Sequence, residues 1–283
     1  NICLTALARC VKSNRDGIDL DPRRQQQVLA LGKAVWNDAR AATDTDNFNI
    51  GLGAALKLCA IADQDAALQW AEELWVWAQK QQLDISPLTR SNFVMVLEMY
   101  GLRERVDKIL TPRSKEKWAL DFVLLGALVN IAAEKRDWRR GDALWQTFVH
   151  TLKVQPHPLA FGAKAKLHLL CGQPGVSVQV ANDALGQGVP VELSLAVSWI
   201  QASLIVYHSS LSCADLHQID DAIVKGEPII LSGSNQAKTQ LRKMKLVAGR
   251  LRSSVSPLHL HDVLVVPNAT QGIMAEWGPC KAG

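Results

Sequence analysis

The sequence predicts an all-α fold: a right-handed α-solenoid of about six to seven helix–turn–helix repeats, with a basic capping helix and a short irregular C-terminal segment. Three observations predict it. Second helices of successive repeats start near Asp65, Leu102, Asp137, Pro174 and Ser212, at intervals of 37, 35, 37 and 38 residues. A helix pair of that length cannot bury its apolar faces alone and must stack on its neighbours. Apolar residues recur at three- and four-residue steps, as in Leu68, Ala71, Leu74, Trp75 and Ala78, the spacing of one buried helical stripe. Finally, QLDISPL (82–88), VQPHPL (154–159) and GVPVEL (188–193) each place Pro just before a new apolar helix, where its missing amide costs nothing.

In chain order, the first pair covers 2–12 and 22–41, with Asp21 able to cap the second helix and Pro22 in its first turn. The polar segment AATDTDNF (41–48) breaks the pattern. The next helices fall at 48–62, 65–81, 88–100, 102–111, 117–134 and 137–153. Two more pairs fall at 159–171 with 174–186, and at 191–207 with 212–225. The array therefore spans residues 1–232 and is clearest over 45–225. Residues 233–283 depart from it. SGSNQ (232–236) offers capping groups before a helix at 235–252, and PLHLHDVLVVPN (257–268) alternates like a short strand.

Of the 283 residues, 48% are hydrophobic and 20% charged, which is ample for burial and argues against wholesale disorder. The formal charge of +4 is small, but its distribution is not even. Residues 1–110 carry 13 Lys/Arg against 14 Asp/Glu, residues 111–225 carry 11 against 10, and residues 226–283 carry 7 against 3. The positive excess thus sits in the last fifth of the chain. The longest apolar stretch, 118–133, is interrupted by Asp121 and Asn130 and is shorter than the roughly 20 residues a membrane span needs. Cys3, Cys10, Cys59, Cys171, Cys213 and Cys280 form no CxxC pair; they read as buried thiols in a reducing compartment. The first residue is Asn1, as in a processed or trimmed product.

No enzyme is expected. There is no phosphate-binding GxxxxGK, no HExxH and no GxSxG, and GLG (51–53) lies inside a helical pattern. His259 and His261 would face one side of a strand, yet two ligands without a third do not make a metal site. Neither metal nor cofactor is therefore expected. Trp36, Trp70, Trp75, Trp77, Trp138, Trp145 and Trp199 sit on or beside apolar stripes and read as packing between repeats. The strongest functional signal is the helix at 235–252. Lys238, Arg242, Lys243, Lys245, Arg250 and Arg252 place six cations within 15 residues, with no acid among them. Such a field suits phosphate backbones. An amphipathic basic helix can equally lie on an anionic membrane surface, or simply keep the end of the array soluble.

Three stretches carry a family resemblance. NFNIGLGAALKLCAIADQDAALQWAEELW (47–75) opens on Phe48-Asn49 and continues into an Ala-Leu second helix. LDISPLTRSNFVMVLEMYG (83–101) and KRDWRRGDALWQTFVHTLKVQPHPLAF (135–161) show the closing Pro and the opening of a new repeat, the latter at Phe161. Over about residues 45–225 the chain resembles a divergent pentatricopeptide-repeat protein. That resemblance implies an inner surface built by first helices, and RNA bases read by the residue after the opening aromatic together with the last residue of the repeat. Carried over, the reading positions are Asn49, Ser91 or Asn92, and Gly162, with Ser86 and His157 as closing partners. It also implies an organelle, mitochondrion or plastid. The expectation is a non-enzymatic organellar factor binding RNA or ribonucleoprotein. The alternative is a protein-only scaffold, a subunit of a large organellar assembly that has lost its reading residues.

Overall fold

The computed structural model describes residues 4, 22–42, 48–61, 65–111, 122–210 and 213–253. Among them are twelve α-helices and no strand. They fall in two compact units. The first holds α1 (Pro22–Ala42), α2 (Phe48–Ile61), α3 (Asp65–Lys80), α4 (Pro87–Met99) and α5 (Arg103–Leu110). The second holds α6 (Phe122–Glu134), α7 (Trp138–Trp145), α8 (Pro158–Leu170), α9 (Pro174–Gly186), α10 (Leu193–Ser210), α11 (Cys213–Ser232) and α12 (Asn235–Ser253).

Second helices begin at Asp65, Arg103, Trp138, Pro174 and Cys213, within one residue of the positions the recurrence gives. The joints explain why. Helices α4, α8 and α9 each carry Pro in the first turn. Ser86 Oγ and Asp137 Oδ1 accept the otherwise unpaired amides of Thr89 and Arg140 at 3.2 and 3.0 Å. At their far ends α4, α6 and α8 close on a residue of positive φ: Gly101, Arg136 and Gly172. The amides of Leu102, Asp137 and Gln173 then return to carbonyls of the last turn, which reverses the chain within three residues.

Within each unit, alternate helices touch as well as sequential ones. Helix α2 packs on α1, α3 and α4; α8 packs on α6, α9 and α10. First helices are consequently covered on most sides. In α6 every residue from Leu124 to Ala133 is buried, Asn130 among them. In the first unit Trp36, Phe48 and Trp77 meet edge to face at 5.3–6.4 Å, and Trp75 stacks on Phe93 at 4.2 Å.

Two expectations shift. The helix placed at 137–153 is α-helical only to Trp145 and continues as a π-helical turn, Gln146–Thr151, where Phe148 is buried. Helix α11 runs seven residues past 225, through Pro228. It continues because Gly226 lets it press on α10: a Cβ there would lie 3.1 Å from Ile200 and 3.3 Å from Ala196. Burial of Ile223 and Ile230 rewards that continuation. The capping helix ends at Ser253, and the strand placed at 257–268 lies outside the described residues, as do His259 and His261.

Candidate nucleic-acid interface

The residues proposed to read bases are tied into the joints between helices. Asn49 stands in the first turn of α2, and its amide reaches the loop before α4. Asn49 Nδ2 donates to the Asp84 carbonyl at 2.7 Å, and Asn49 Oδ1 accepts from the Ser86 amide at 2.9 Å. Thr89 Oγ1 returns a bond to the Asn49 carbonyl at 3.0 Å. Ser86 caps α4, Ser91 Oγ donates to the Pro87 carbonyl at 3.0 Å, and Asn92 Nδ2 donates to the Gly53 carbonyl at 3.0 Å. These bonds lock α2 to α4. They also occupy both edges of the Asn49 amide, the pair that base-edge recognition would need.

His157 behaves likewise. Its Nδ1 accepts from the Leu159 amide at 3.3 Å, capping α8, and its ring stacks on Phe122 at 4.5 Å. Gly162 lies where α8 presses against the start of α10. A Cβ there would meet Ser194 at 3.0 Å and the Leu195 backbone nitrogen at 3.1 Å. Installing the amide that the reading position calls for, Gly162→Asn, is therefore expected to destabilise the fold by about 1–3 kcal/mol, the usual cost of overpacking. Urea denaturation measures it; an unchanged midpoint would mean that α8 and α10 yield freely.

Helix α12 is different. It packs on α10 and α11 through Leu241, Met244, Val247 and Ala248, all buried. Arg242 and Lys243 are exposed and Lys238 is half-buried. Lys245 is taken: its Nζ lies 2.7 Å from both Glu227 oxygens on α11. Arg250 and Arg252 extend the same helix by about two turns. The apolar face that a membrane-lying helix would insert is thus turned into the fold, and among the described side chains of α12 Leu246 is the one large apolar group left protruding.

A second polar group lies where α7, α8 and the turn before α9 meet. His168 is buried, with Nδ1 2.8 Å from Gln173 Oε1 and Nε2 3.2 Å from Asp142 Oδ1. Lys164 Nζ is 3.8 Å from the same carboxylate and 4.5 Å from the Trp145 ring centre; burial lowers its pKa, partly offset by Asp142. Lys166 is 7% exposed, and its Nζ has no partner. Burial pushes its pKa down to about 8. The Cys59 thiol is buried and free, and burial raises its pKa, so it stays protonated and unreactive. Sequence alone does not flag these groups, because helical spacing places them on faces that only the neighbouring helix closes.

Among the described residues no group of three His, Cys, Asp or Glu side chains is placed to hold a metal ion. Nor, among them, is any helix long and apolar enough to cross a membrane. No protein-family model matches the chain, and no curated protein matches it either.

Proposed function

We propose that this chain is a non-enzymatic helical-repeat binding protein, a right-handed α-solenoid of about six to seven repeats, associated with RNA or ribonucleoprotein in an organelle. The observation that carries the reading is α12. Its apolar face is consumed by α10 and α11, while Arg242 and Lys243 point to solvent and Lys238 flanks them. A helix so anchored holds its cations in fixed register, which suits contact with phosphates without base selection. The joint contacts of Asn49, Ser86, Asn92 and His157 support backbone binding over base reading.

The test is the triple variant Lys238→Glu, Arg242→Glu, Lys243→Glu, assayed against a labelled single-stranded RNA. Each lost phosphate contact removes a slope of about 0.7 in log affinity against log salt. Three such contacts correspond to a loss of about 50-fold at 0.15 M salt. Far-UV circular dichroism and the melting temperature confirm that the variant stays folded. Unchanged affinity in a folded variant removes α12 from the interface.

A second reading is a protein-only scaffold of a large organellar assembly. It is favoured by the same joint contacts, which occupy both edges of the Asn49 amide and engage Asn92 Nδ2. Indifference to RNA, together with copurification in a stable protein complex, distinguishes it.

A further inference from the structure

The turn between α6 and α7 joins features that the α12 reading does not use. Trp138 opens α7 and is 37% exposed; among the described Phe, Tyr and Trp side chains it is the one this open to solvent. The guanidinium of Arg139 lies 5.3 Å from its ring centre. Lys135, Arg136 and Arg139 are all exposed in this stretch, beside exposed Glu134, while Asp137 caps Arg140.

The backbone adds a second point. The first helices α4, α6 and α8 close on residues of positive φ, and in two of them that residue is Gly101 or Gly172. In the third it is Arg136, at φ 52°. A side-chain-bearing residue adopts this conformation at a cost that glycine avoids. The turn therefore carries a guanidinium at a place where the neighbouring repeats carry none.

We propose that this turn is a second contact for single-stranded RNA, in which a base stacks on the open part of Trp138 while Arg136 and Lys135 meet the flanking phosphates. The inference rests on the RNA reading above but uses different residues. A π-face bordered by cations is what sequence-tolerant single-strand binding requires, since every base can stack and every linkage is anionic. Duplex RNA, with its bases already stacked, gains only the cations.

The test uses the full chain and a fluorescent 12-nucleotide oligouridine. Trp138→Ala is expected to weaken binding by about 5- to 150-fold, the range for one lost stacking partner. Arg136→Gly removes the cation and relieves the backbone. It should leave the melting temperature unchanged or higher while lowering affinity and reducing the salt slope by about 0.7. Wild-type affinity in both turn variants, with binding still lost in the α12 triple variant, overturns this proposal and leaves the α12 reading standing. The reverse pattern supports the turn and sinks α12. No RNA binding by the wild-type chain overturns both. Poly-glutamate that binds with the same sensitivity to both turn substitutions would make the site an acidic-protein contact and overturn the RNA assignment.

Discussion

Trp199→Ala is expected to lower the unfolding free energy by about 3–5 kcal/mol, the usual range for deleting a large buried aromatic. Trp199 heads the fully buried side chains of the described residues by volume. It lies on α10, which packs against α8, α9, α11 and α12. Backbone that touches four helices cannot collapse into the vacated space without moving one of them, which places the cost toward the upper end of the range. The indole is not ideal: its Nε1 is buried without a partner, and Lys225 Nζ stands 5.9 Å from the ring centre. Trp199→Phe should therefore lose much less, because it discards the unpaired N–H along with part of the volume. Urea denaturation followed by circular dichroism measures both. A Trp199→Ala loss below about 1 kcal/mol would mean that α10 is not the centre of that core.

Lys166→Met is expected to act in the opposite direction. Lys166 is buried with an unpartnered amine, and its pKa falls from 10.5 to about 8 through desolvation, only partly countered by Glu134. A depression of that size corresponds to about 3 kcal/mol of lost stability while the amine is charged. The sign follows from proton counting. Below pH 8 folded and unfolded chains both hold the proton, so the whole penalty is present. Between about pH 8 and 10.5 the folded chain sheds it and the unfolded chain keeps it, so the wild type gains stability as pH rises. The Met variant should thus be more stable by up to about 3 kcal/mol at pH 7, with the advantage shrinking across that window. Methionine fits, because Met95 is buried six residues before Gly101, as Lys166 is before Gly172. Equal stabilities at pH 7, or an advantage independent of pH, would show that Lys166 finds a partner in solution.

The helices were legible because their signals are local. Pro87, Pro158 and Pro174 mark starts by what their rings forbid, and the recurrence from Asp65 to Ser212 marks how much chain one helix pair needs. The basic character of α12 was equally plain, since six cations without an acid need no neighbour to be seen. The end of α11 was not: a helix placed at 212–225 runs on through Pro228, where Gly226 meets Ile200 and Ala196 across the packing with α10.

The candidate site was less legible. The residue after an opening aromatic identifies Asn49, but whether its amide faces a base or a loop depends on where Asp84 and Ser86 lie, 35 and 37 residues away. Lys245 counts as a cation in the sequence and as half of an ion pair in the fold. Trp138 reads as one more packing residue until the turn leaves it in the open.

What the sequence determined by itself is the all-helical class, the positions of the helices and the cationic face of the last one, because 3.6-residue periodicity, proline and net charge act over a few residues. Tertiary structure alone decided which polar groups remain available. Availability is a matter of what the neighbouring helix covers or bonds, and the partner lies 18 residues away for Lys245 and 35 and 37 for Asn49.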